Sequence, residues 1–200
     1  MVFGMKTAHV IDNFLSNPEE ERSRALAAEY KTVDHNGLSY PGISLVDAPE
    51  DLERNQKILG VEKPKATESF YRQYLPGQEQ STFIHSDVEI GTFSGVLFLN
   101  PPELCKGGLA FWRHRMTGLE SHPSPEQCAQ FGLIDGDPFF SEVHRQGLEE
   151  RYWEMIDYVP MEFNRLVLFF SPRFHSRYPK DPIGENVETA RLIKTYFYHL

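Results

Sequence analysis

The order of apolar and polar residues predicts two helices near the start of the chain. Asn17, followed by a proline, begins the first, because asparagine can cap a helix and proline suits its first turn. Its apolar stripe runs to about Tyr30. The second helix begins in the same way at Asp47 and ends at Gly60, a natural stop. Residues 1–67 are therefore expected to form a helical support.

From residue 68 onward the pattern changes to short apolar runs bounded by glycine and proline, which is typical of β-strands. Seven strands are predicted: Phe70–Leu75, Thr82–Val88, Thr92–Leu99, Leu109–Arg113, Arg165–Phe170, Phe174–Tyr178 and Ala190–His199. Several short strands without alternating helices indicate an antiparallel sandwich or barrel. We therefore expect a single domain over residues 1–200, mainly β with flanking α-helices.

A loop-rich insertion at about 114–148 separates the fourth predicted strand from the fifth. It contains one short predicted helix, from Ser124 to Phe131, which Gly132 closes. A further helix is predicted at Leu148–Tyr158 and leads back into the sheet.

Composition and charge restrict the classes of function. The 200-residue chain is 40% hydrophobic and carries 20 Lys and Arg against 29 Asp and Glu, a net charge of -9. Binding to nucleic acid or to an anionic membrane surface requires basic patches, and no basic run is present. No apolar stretch approaches the roughly 20 residues that span a bilayer, and no signal-peptide pattern opens the chain. We expect a soluble cytoplasmic protein; the pattern does not predict its oligomeric state.

His85 and Asp87 form a His-x-Asp pair inside the predicted strand Thr82–Val88. Side chains at positions i and i+2 of a strand point to the same side, so both could hold one metal ion. His175 follows another hydrophobic strand far downstream. Two histidines and one carboxylate are the ligand set of non-haem Fe(II) oxygenases, which leave coordination positions open. These three residues are therefore our candidate catalytic and metal-ligating residues.

Other histidines compete with His175 for the third ligand position. His114 and His122 flank the predicted insertion, and His144 lies in a polar stretch. For these three, an ordinary surface or hydrogen-bonded histidine is the simpler interpretation. His175 differs because it follows a hydrophobic strand, on an edge that we expect to face inward.

The order of these motifs resembles the Fe(II)- and 2-oxoglutarate-dependent oxygenases, in particular the prolyl-4-hydroxylase-like branch and its small bacterial relatives. The matching segments are VIDNFLSNPEEERSRAL, IHSD, SGVLFLNPPELCKGGLAFWRHRMTG, FNRLVLFFSPRFHS and ARLIKTYFYHL. They cover the chain from about residue 9 to 200, and their order and spacing are more specific than any single motif. The resemblance implies a double-stranded β-helix core, of the jelly-roll or cupin-like kind, over residues 68–200.

The resemblance also implies that a basic residue on the last strand pairs with the distal carboxylate of 2-oxoglutarate. This residue falls on Arg191, and a guanidinium group holds a carboxylate through two parallel hydrogen bonds. Arg177 is the rival anchor, since it lies two residues after His175 on the same strand face. Lys194 is a weaker third choice, because alternation places it opposite Arg191. Tyr74 resembles a family tyrosine near the co-substrate. An ordinary surface ion pair for Arg191, or a half-buried strand aromatic for Tyr74, is the alternative.

The resemblance implies a non-haem Fe(II)- and 2-oxoglutarate-dependent dioxygenase that uses O2 to hydroxylate a small molecule or a protein side chain. Two alternatives stay open: a cupin-like metalloenzyme that does not use 2-oxoglutarate, and a non-catalytic β-barrel binding module. The first would lack an inward-facing basic residue on the last strand. The second would not bind Fe(II) or Mn(II) tightly. No motif in the sequence indicates the substrate.

Overall fold

β-Strands are the main regular structure of the chain, and helices pack against them. The computed structural model describes residues 8–200 except 36, 62, 63, 65, 79, 89, 90 and 131–137. Its α-helices are Pro18–Ala27 (α1), Pro49–Leu59 (α2), Pro125–Gln130 (α3) and Pro138–Gln146 (α4). Its strands are His9–Ile11 (β1), Lys31–His35 (β2), Leu38–Leu45 (β3), Ala66–Tyr74 (β4), Phe93–Phe98 (β5), Gly108–His114 (β6), Trp153–Pro160 (β7), Leu166–Phe170 (β8), His175–Tyr178 (β9) and Arg191–His199 (β10). The predicted mainly β fold with flanking helices is confirmed.

The described strands form two antiparallel sheets. The larger has seven strands in the order β1-β8-β5-β10-β4-β3-β2, and the smaller has three in the order β7-β6-β9. β10 lies inside the larger sheet, where it pairs with β4 on one side and β5 on the other. The two sheets share one apolar core, which includes Val96, Phe98, Leu109, Phe111, Val167 and Phe169. Side chains alternate between the two faces of each sheet, and the inward-facing ones of both sheets are buried in this core.

Alternation along β10 decides which layer each of its side chains joins. Leu192 and Tyr196 pack in one core with Ala25 of α1 and Leu52 of α2. Ile193 packs in the core between the two sheets instead. Helices α1 and α2 therefore cover the outer face of the larger sheet, and its inner face is left for the candidate site.

A buried charge cluster joins both helices to the larger sheet. Lys194 of β10 donates to Asp51 of α2 at 2.7 Å and also to Glu21 of α1. The hydroxyl groups of Tyr196 and Tyr71 donate to the same two carboxylates at 2.9 and 2.8 Å. All three charged side chains are buried. Buried charges need partners, and here two carboxylates share one ammonium group.

A Lys194→Met substitution is expected to destabilise the fold strongly, because Asp51 would stay buried without its cation and Glu21 would keep only its 3.6 Å contact with Arg24. Breaking a buried ion pair typically costs about 3 to 5 kcal/mol, which should appear in the free energy of unfolding measured in urea. The control is Lys57→Met, which removes an exposed ammonium paired with Glu53 and should change stability only slightly. Equal midpoints for the two variants would contradict the role assigned to the cluster.

The amino-terminal 67 residues are not purely helical, which corrects the expectation from sequence. β2 and β3 pair with each other, and β3 pairs with β4, so this segment extends the larger sheet. Pro41-Gly42 interrupts the apolar pattern of β3 and concealed it. Gly42 is required there: its φ is +77°, and a Cβ atom would lie 2.1 Å from the carbonyl oxygen of Gln73.

The helix predicted at Leu148–Tyr158 is wrong. A short 3-10 turn at Glu150–Tyr152 leads directly into β7, which pairs with β6 and buries Trp153. The aromatic and β-branched residues of this segment favour a strand. Phe131 and Gly132, at the end of the predicted insertion helix, lie outside the described residues.

The other predicted strands after residue 68 are confirmed at least in part, except Thr82–Val88. No helix within the described part of the chain is long and apolar enough to cross a membrane.

Candidate metal centre

The segment around His85 is not a regular strand, which corrects the prediction for Thr82–Val88. Its backbone N–H groups donate to separate parts of the chain, from Ile84 to the carbonyl of Gly147 at 2.9 Å and from His85 to the carbonyl of His175 at 3.0 Å. A ladder needs one continuous partner strand, so only an isolated bridge between His85 and His175 forms. This bridge still places His85 and Asp87 beside the start of β9.

The structure brings the three candidate ligands together. Asp87 Oδ1 lies 3.4 Å from His85 Nε2, and Asp87 Oδ2 lies 3.2 Å from His175 Nε2. One potential ligand atom from each residue lies within 4.8 Å of the other two. Within the described residues, no other three His, Cys, Asp or Glu side chains are grouped in this way. Their convergence is a feature of the fold, and metal binding by them stays a prediction.

Backbone carbonyls orient both imidazole rings. His85 Nδ1 lies 2.9 Å from the carbonyl oxygen of Phe83, and His175 Nδ1 lies 2.8 Å from that of Arg173. A carbonyl only accepts, so Nδ1 carries the proton and Nε2 keeps its lone pair. Both Nε2 atoms face Asp87, and the same arrangement orients histidine ligands in metal sites.

A buried serine holds the carboxylate of Asp87, and a second buried serine contacts the first. Ser94 on β5 donates from Oγ to Asp87 Oδ2 at 2.9 Å, and its Oγ lies 2.8 Å from Oγ of Ser171. Both hydroxyl groups are fully buried. Sequence reasoning missed them, because a serine in an apolar strand carries no signal that it contacts a ligand.

A Ser94→Ala substitution is expected to weaken Mn(II) binding about 10- to 100-fold, the usual cost of losing a group that orients a metal ligand. Isothermal titration calorimetry with Mn(II) measures the effect. Ser69→Ala is the matched control, because Ser69 is also buried but donates to the carbonyl of Val46, away from the site. If both variants bind Mn(II) like the wild type, Ser94 does not position Asp87.

Electrostatics favour an ionised carboxylate at Asp87 and a neutral imidazole at His85. Burial alone would raise the pKa of Asp87, but attraction and hydrogen bonds from His175 and His85 outweigh it and hold this pKa far below its usual range. Burial, together with repulsion from His175, lowers the pKa of His85. A carboxylate and two neutral imidazoles with free Nε2 lone pairs are the donor set that a divalent transition metal accepts. The residues present therefore fit an Fe(II) ion.

The competing histidines lie apart from this group. His114 is buried and bonded through its ring to Thr117 Oγ1 at 2.9 Å and Gln146 Oε1 at 2.6 Å. His144 is exposed on α4. His122 lines the same cavity as the ligands but does not join the group of three. The preference for His175 agrees with this geometry.

One cavity of about 700 Å³ is lined by the three candidate ligands and by Arg191. Arg191 is only 3% exposed, and its guanidinium donates to the carbonyls of Gly108 at 2.9 Å and Tyr178 at 2.8 Å. Burial lowers its pKa to about 10, so the group stays charged at neutral pH. The alternative interpretation, in which Arg191 forms an ordinary surface ion pair, is therefore wrong. Lys194, whose place opposite Arg191 was predicted by alternation, faces the helices.

The other two candidate co-substrate residues also line this cavity. Tyr74 is buried and stands opposite Arg191 in the pairing of β4 with β10. The Arg177 guanidinium lies 5.1 Å from the centre of the Tyr74 ring, and Arg177 Nε donates to the carbonyl of Lys180 at 3.1 Å. Burial lowers the pKa of Arg177. Arg191 and Arg177 are therefore both available to an anion in the cavity.

Sequence reasoning missed a third arginine, Arg72. It lies two residues before Tyr74 on β4, so both side chains face the cavity. Its guanidinium carbon is 4.8 Å from the centre of the Tyr74 ring. The spacing of Arg72 and Tyr74 could have revealed it, because the strand around them was predicted.

Comparison with protein families gives one match. The model of a family described as "Family of unknown function (DUF6445)" matches residues 72–198, a segment that contains all the candidate site residues. No curated protein matches the sequence.

Solved structures with a similar fold include a prolyl-4-hydroxylase from Pseudomonas putida, with a TM-score of 0.52, 16% identity, and coverage of 96% of this chain and 92% of that chain. A prolyl hydroxylase from Trichoplax adhaerens, in complex with a hypoxia inducible factor peptide fragment, has a TM-score of 0.49 at 15% identity and covers 96% and 83%. AviO1 from Streptomyces viridochromogenes Tue57 has a TM-score of 0.49 at 15% identity and covers 98% and 91%. Likeness at such identities is a likeness of fold, and the predicted double-stranded β-helix is confirmed.

Proposed function

We propose that this chain, which belongs to the DUF6445 family, is a non-haem Fe(II)- and 2-oxoglutarate-dependent dioxygenase. The observation that carries the proposal is a His-Asp-His group, with Asp87 and His175 buried, that shares its cavity with a buried, charged Arg191. The His-Asp-His group suits Fe(II), and Arg191 suits the distal carboxylate of 2-oxoglutarate. The fold shared with a prolyl-4-hydroxylase supports the same proposal.

His85, Asp87 and His175 would hold the metal through two Nε2 atoms and one carboxylate oxygen. Three protein ligands leave coordination positions open to the cavity. With Fe(II), 2-oxoglutarate and O2 bound, the centre would supply an oxidant that hydroxylates a C–H bond, while 2-oxoglutarate becomes succinate and CO2.

Arg191 would fix the orientation of 2-oxoglutarate. Its two hydrogen bonds to the carbonyls of Gly108 and Tyr178 hold the guanidinium in place before any ligand binds. They leave other N–H donors for a carboxylate, because arginine has five. Arg177 remains the rival anchor. Both residues favour a 2-oxoglutarate enzyme over a cupin-like metalloenzyme that lacks an inward-facing cation.

Apolar side chains would keep the reacting groups away from water. Val96, Phe98, Leu109 and Ile193 line the cavity that also contains the His-Asp-His group and Arg191. All four are buried in the core between the sheets. A low-polarity wall strengthens the interaction of the guanidinium with a carboxylate and limits side reactions with solvent. The substrate we propose is a small molecule or an exposed protein side chain.

The proposal is tested by incubating purified protein with Fe(II), ascorbate, 2-oxoglutarate and air, and measuring succinate. We expect slow, iron-dependent formation of succinate even without a substrate, and faster formation with a true one. Protein that binds neither Fe(II) nor Mn(II) and forms no succinate would support the non-catalytic binding module instead. Metal binding without any effect of 2-oxoglutarate would support the cupin-like alternative.

A further inference from the structure

Three arginines gather around one tyrosine in the cavity. The guanidinium carbons of Arg72 and Arg177 lie 4.8 and 5.1 Å from the centre of the Tyr74 ring. Arg191 stands opposite Tyr74 in the neighbouring strand. Contact with the aromatic ring stabilises the guanidinium groups of Arg72 and Arg177 but does not neutralise their charge.

No carboxylate of the described residues lies within ion-pair distance of these arginines. Their hydrogen bonds go to neutral oxygens: Arg72 donates to Gln80 Oε1 at 3.0 Å, Arg177 to the carbonyl of Lys180, and Arg191 to two further carbonyls. Asp181 attracts Arg177 only at longer range. The Nε of Arg72 is buried and has no acceptor among the described residues. Although Glu68 and Asp87 line the same cavity, neither is an ion-pair partner of these arginines, and charges left in this way point to anions that arrive with ligands.

The proposed co-substrate accounts for only part of this charge. One carboxylate of 2-oxoglutarate belongs at the metal, and the other is held by one guanidinium, which we assign to Arg191. Arg72 comes from the strand beside it and faces Ile193 in the pairing, not Arg191. Arg72, with Arg177 nearby, is therefore left for a different anion.

An apolar wall adjoins Arg72 in the same cavity. Ile43 pairs with Arg72 across β3 and β4, and it packs with Phe70 and Phe197 in a small buried cluster. Tyr40 packs against this cluster and lies 5.6 Å from the Arg72 guanidinium carbon. All four side chains line the cavity that also contains His85 and Asp87. A ligand there meets a cation and a hydrophobic surface side by side.

We propose that the substrate is an amphipathic acid, whose anionic group is bound by Arg72 with Arg177 and whose apolar body lies against Ile43, Phe70 and Phe197. This inference rests on the proposed function, because it assumes that 2-oxoglutarate occupies Arg191. The ligand carries one anionic group on an apolar body. A carboxylate and a phosphate monoester both supply such a group.

The test measures, by calorimetry, the affinity of matched probes for protein that is saturated with Mn(II) and 2-oxoglutarate. In this protein 2-oxoglutarate already occupies Arg191. The probes are octanoate and 3-phenylpropionate, each beside its neutral amide, and octyl phosphate. We expect at least one acid to bind about 10- to 100-fold more tightly than its neutral counterpart, the usual effect of a charge-assisted hydrogen bond. Tighter binding of octyl phosphate than of both carboxylates would support a phosphate group as the anion.

Variants of Arg72 test whether this residue causes the preference for acids over neutral amides. Arg72→Gln should remove the preference for the acid, and Arg72→Lys should restore part of it. The control is Arg113→Gln, because Arg113 is an exposed arginine paired with Glu120 and Glu154. It should bind all probes like the wild type. Acids that bind no better than amides, or a preference that survives in Arg72→Gln, would overturn the inference.

Titration of 2-oxoglutarate on the same samples separates this inference from the proposed function. If wild-type protein binds Mn(II) and 2-oxoglutarate but shows no preference for acids, the anionic substrate is excluded and the oxygenase proposal stands. If 2-oxoglutarate does not bind at all, the proposed function fails first. If Arg72→Gln loses 2-oxoglutarate binding, Arg72 belongs to the co-substrate site and the inference is wrong.

Discussion

Asp87→Asn is expected to abolish metal-dependent formation of succinate and to weaken Mn(II) binding by more than about 100-fold, since losing only an orienting partner costs about 10- to 100-fold. The carboxylate is the one anionic ligand of the proposed centre, and its two oxygens lie 3.4 and 3.2 Å from the two imidazole Nε2 atoms. Asparagine keeps the volume of the side chain and an oxygen that can accept from Ser94. The charge is the main difference.

Folding and metal binding are separated by measuring both on the same samples. Urea unfolding establishes that Asp87→Asn is folded, and calorimetry with Mn(II) gives the affinity. Asp34→Ala is the control, because Asp34 is an exposed carboxylate on β2. A folded Asp87→Asn protein that binds Mn(II) like the wild type would remove Asp87 from the centre.

Arg191→Met is expected to raise the dissociation constant of 2-oxoglutarate on the order of 100-fold, because two charge-assisted hydrogen bonds to one carboxylate are lost. Methionine keeps much of the buried volume. It also leaves the carbonyls of Gly108 and Tyr178 without their donor, so some loss of stability accompanies the change. The measurement is a 2-oxoglutarate titration of Mn(II)-saturated protein, made below the unfolding temperature of the variant.

Arg177→Met is the matched comparison for the anchor, since both arginines line the cavity. We expect it to raise the same dissociation constant less than about tenfold, through loss of a nearby charge rather than of the bidentate contact. If Arg177→Met has the larger effect, Arg177 is the anchor and the assignment of Arg191 is reversed.

Alternation predicted side-chain direction well where the strand is regular. β10 pairs along its length with β4 and β5, so the placement of Arg191 and Lys194 on opposite faces followed from counting residues. The same count on Thr82–Val88 predicted a strand that does not form. There, the backbone donates to two separate segments, and the side chains of His85 and Asp87 are brought beside His175 by the bridge between His85 and His175.

Long-range contacts were less accessible from the sequence. The meeting of His175 with the His-x-Asp pair depends on which strands pair, and a local pattern does not contain that information; the family resemblance supplied it. Ser94 was missed for a similar reason, because it is the one polar side chain of β5 and only the tertiary structure shows that it contacts Asp87. Arg72 is one of several polar residues of β4, and its spacing from Tyr74 was the signal that places it in the cavity.

The most direct test of the oxygenase proposal is an anaerobic titration of the Fe(II)-loaded protein with 2-oxoglutarate, followed by visible absorption. We predict a new metal-to-ligand charge-transfer band, which is absent in Asp87→Asn and requires far higher 2-oxoglutarate concentrations in Arg191→Met. Wild-type protein that binds Fe(II) yet develops no band at saturating 2-oxoglutarate would contradict the proposal.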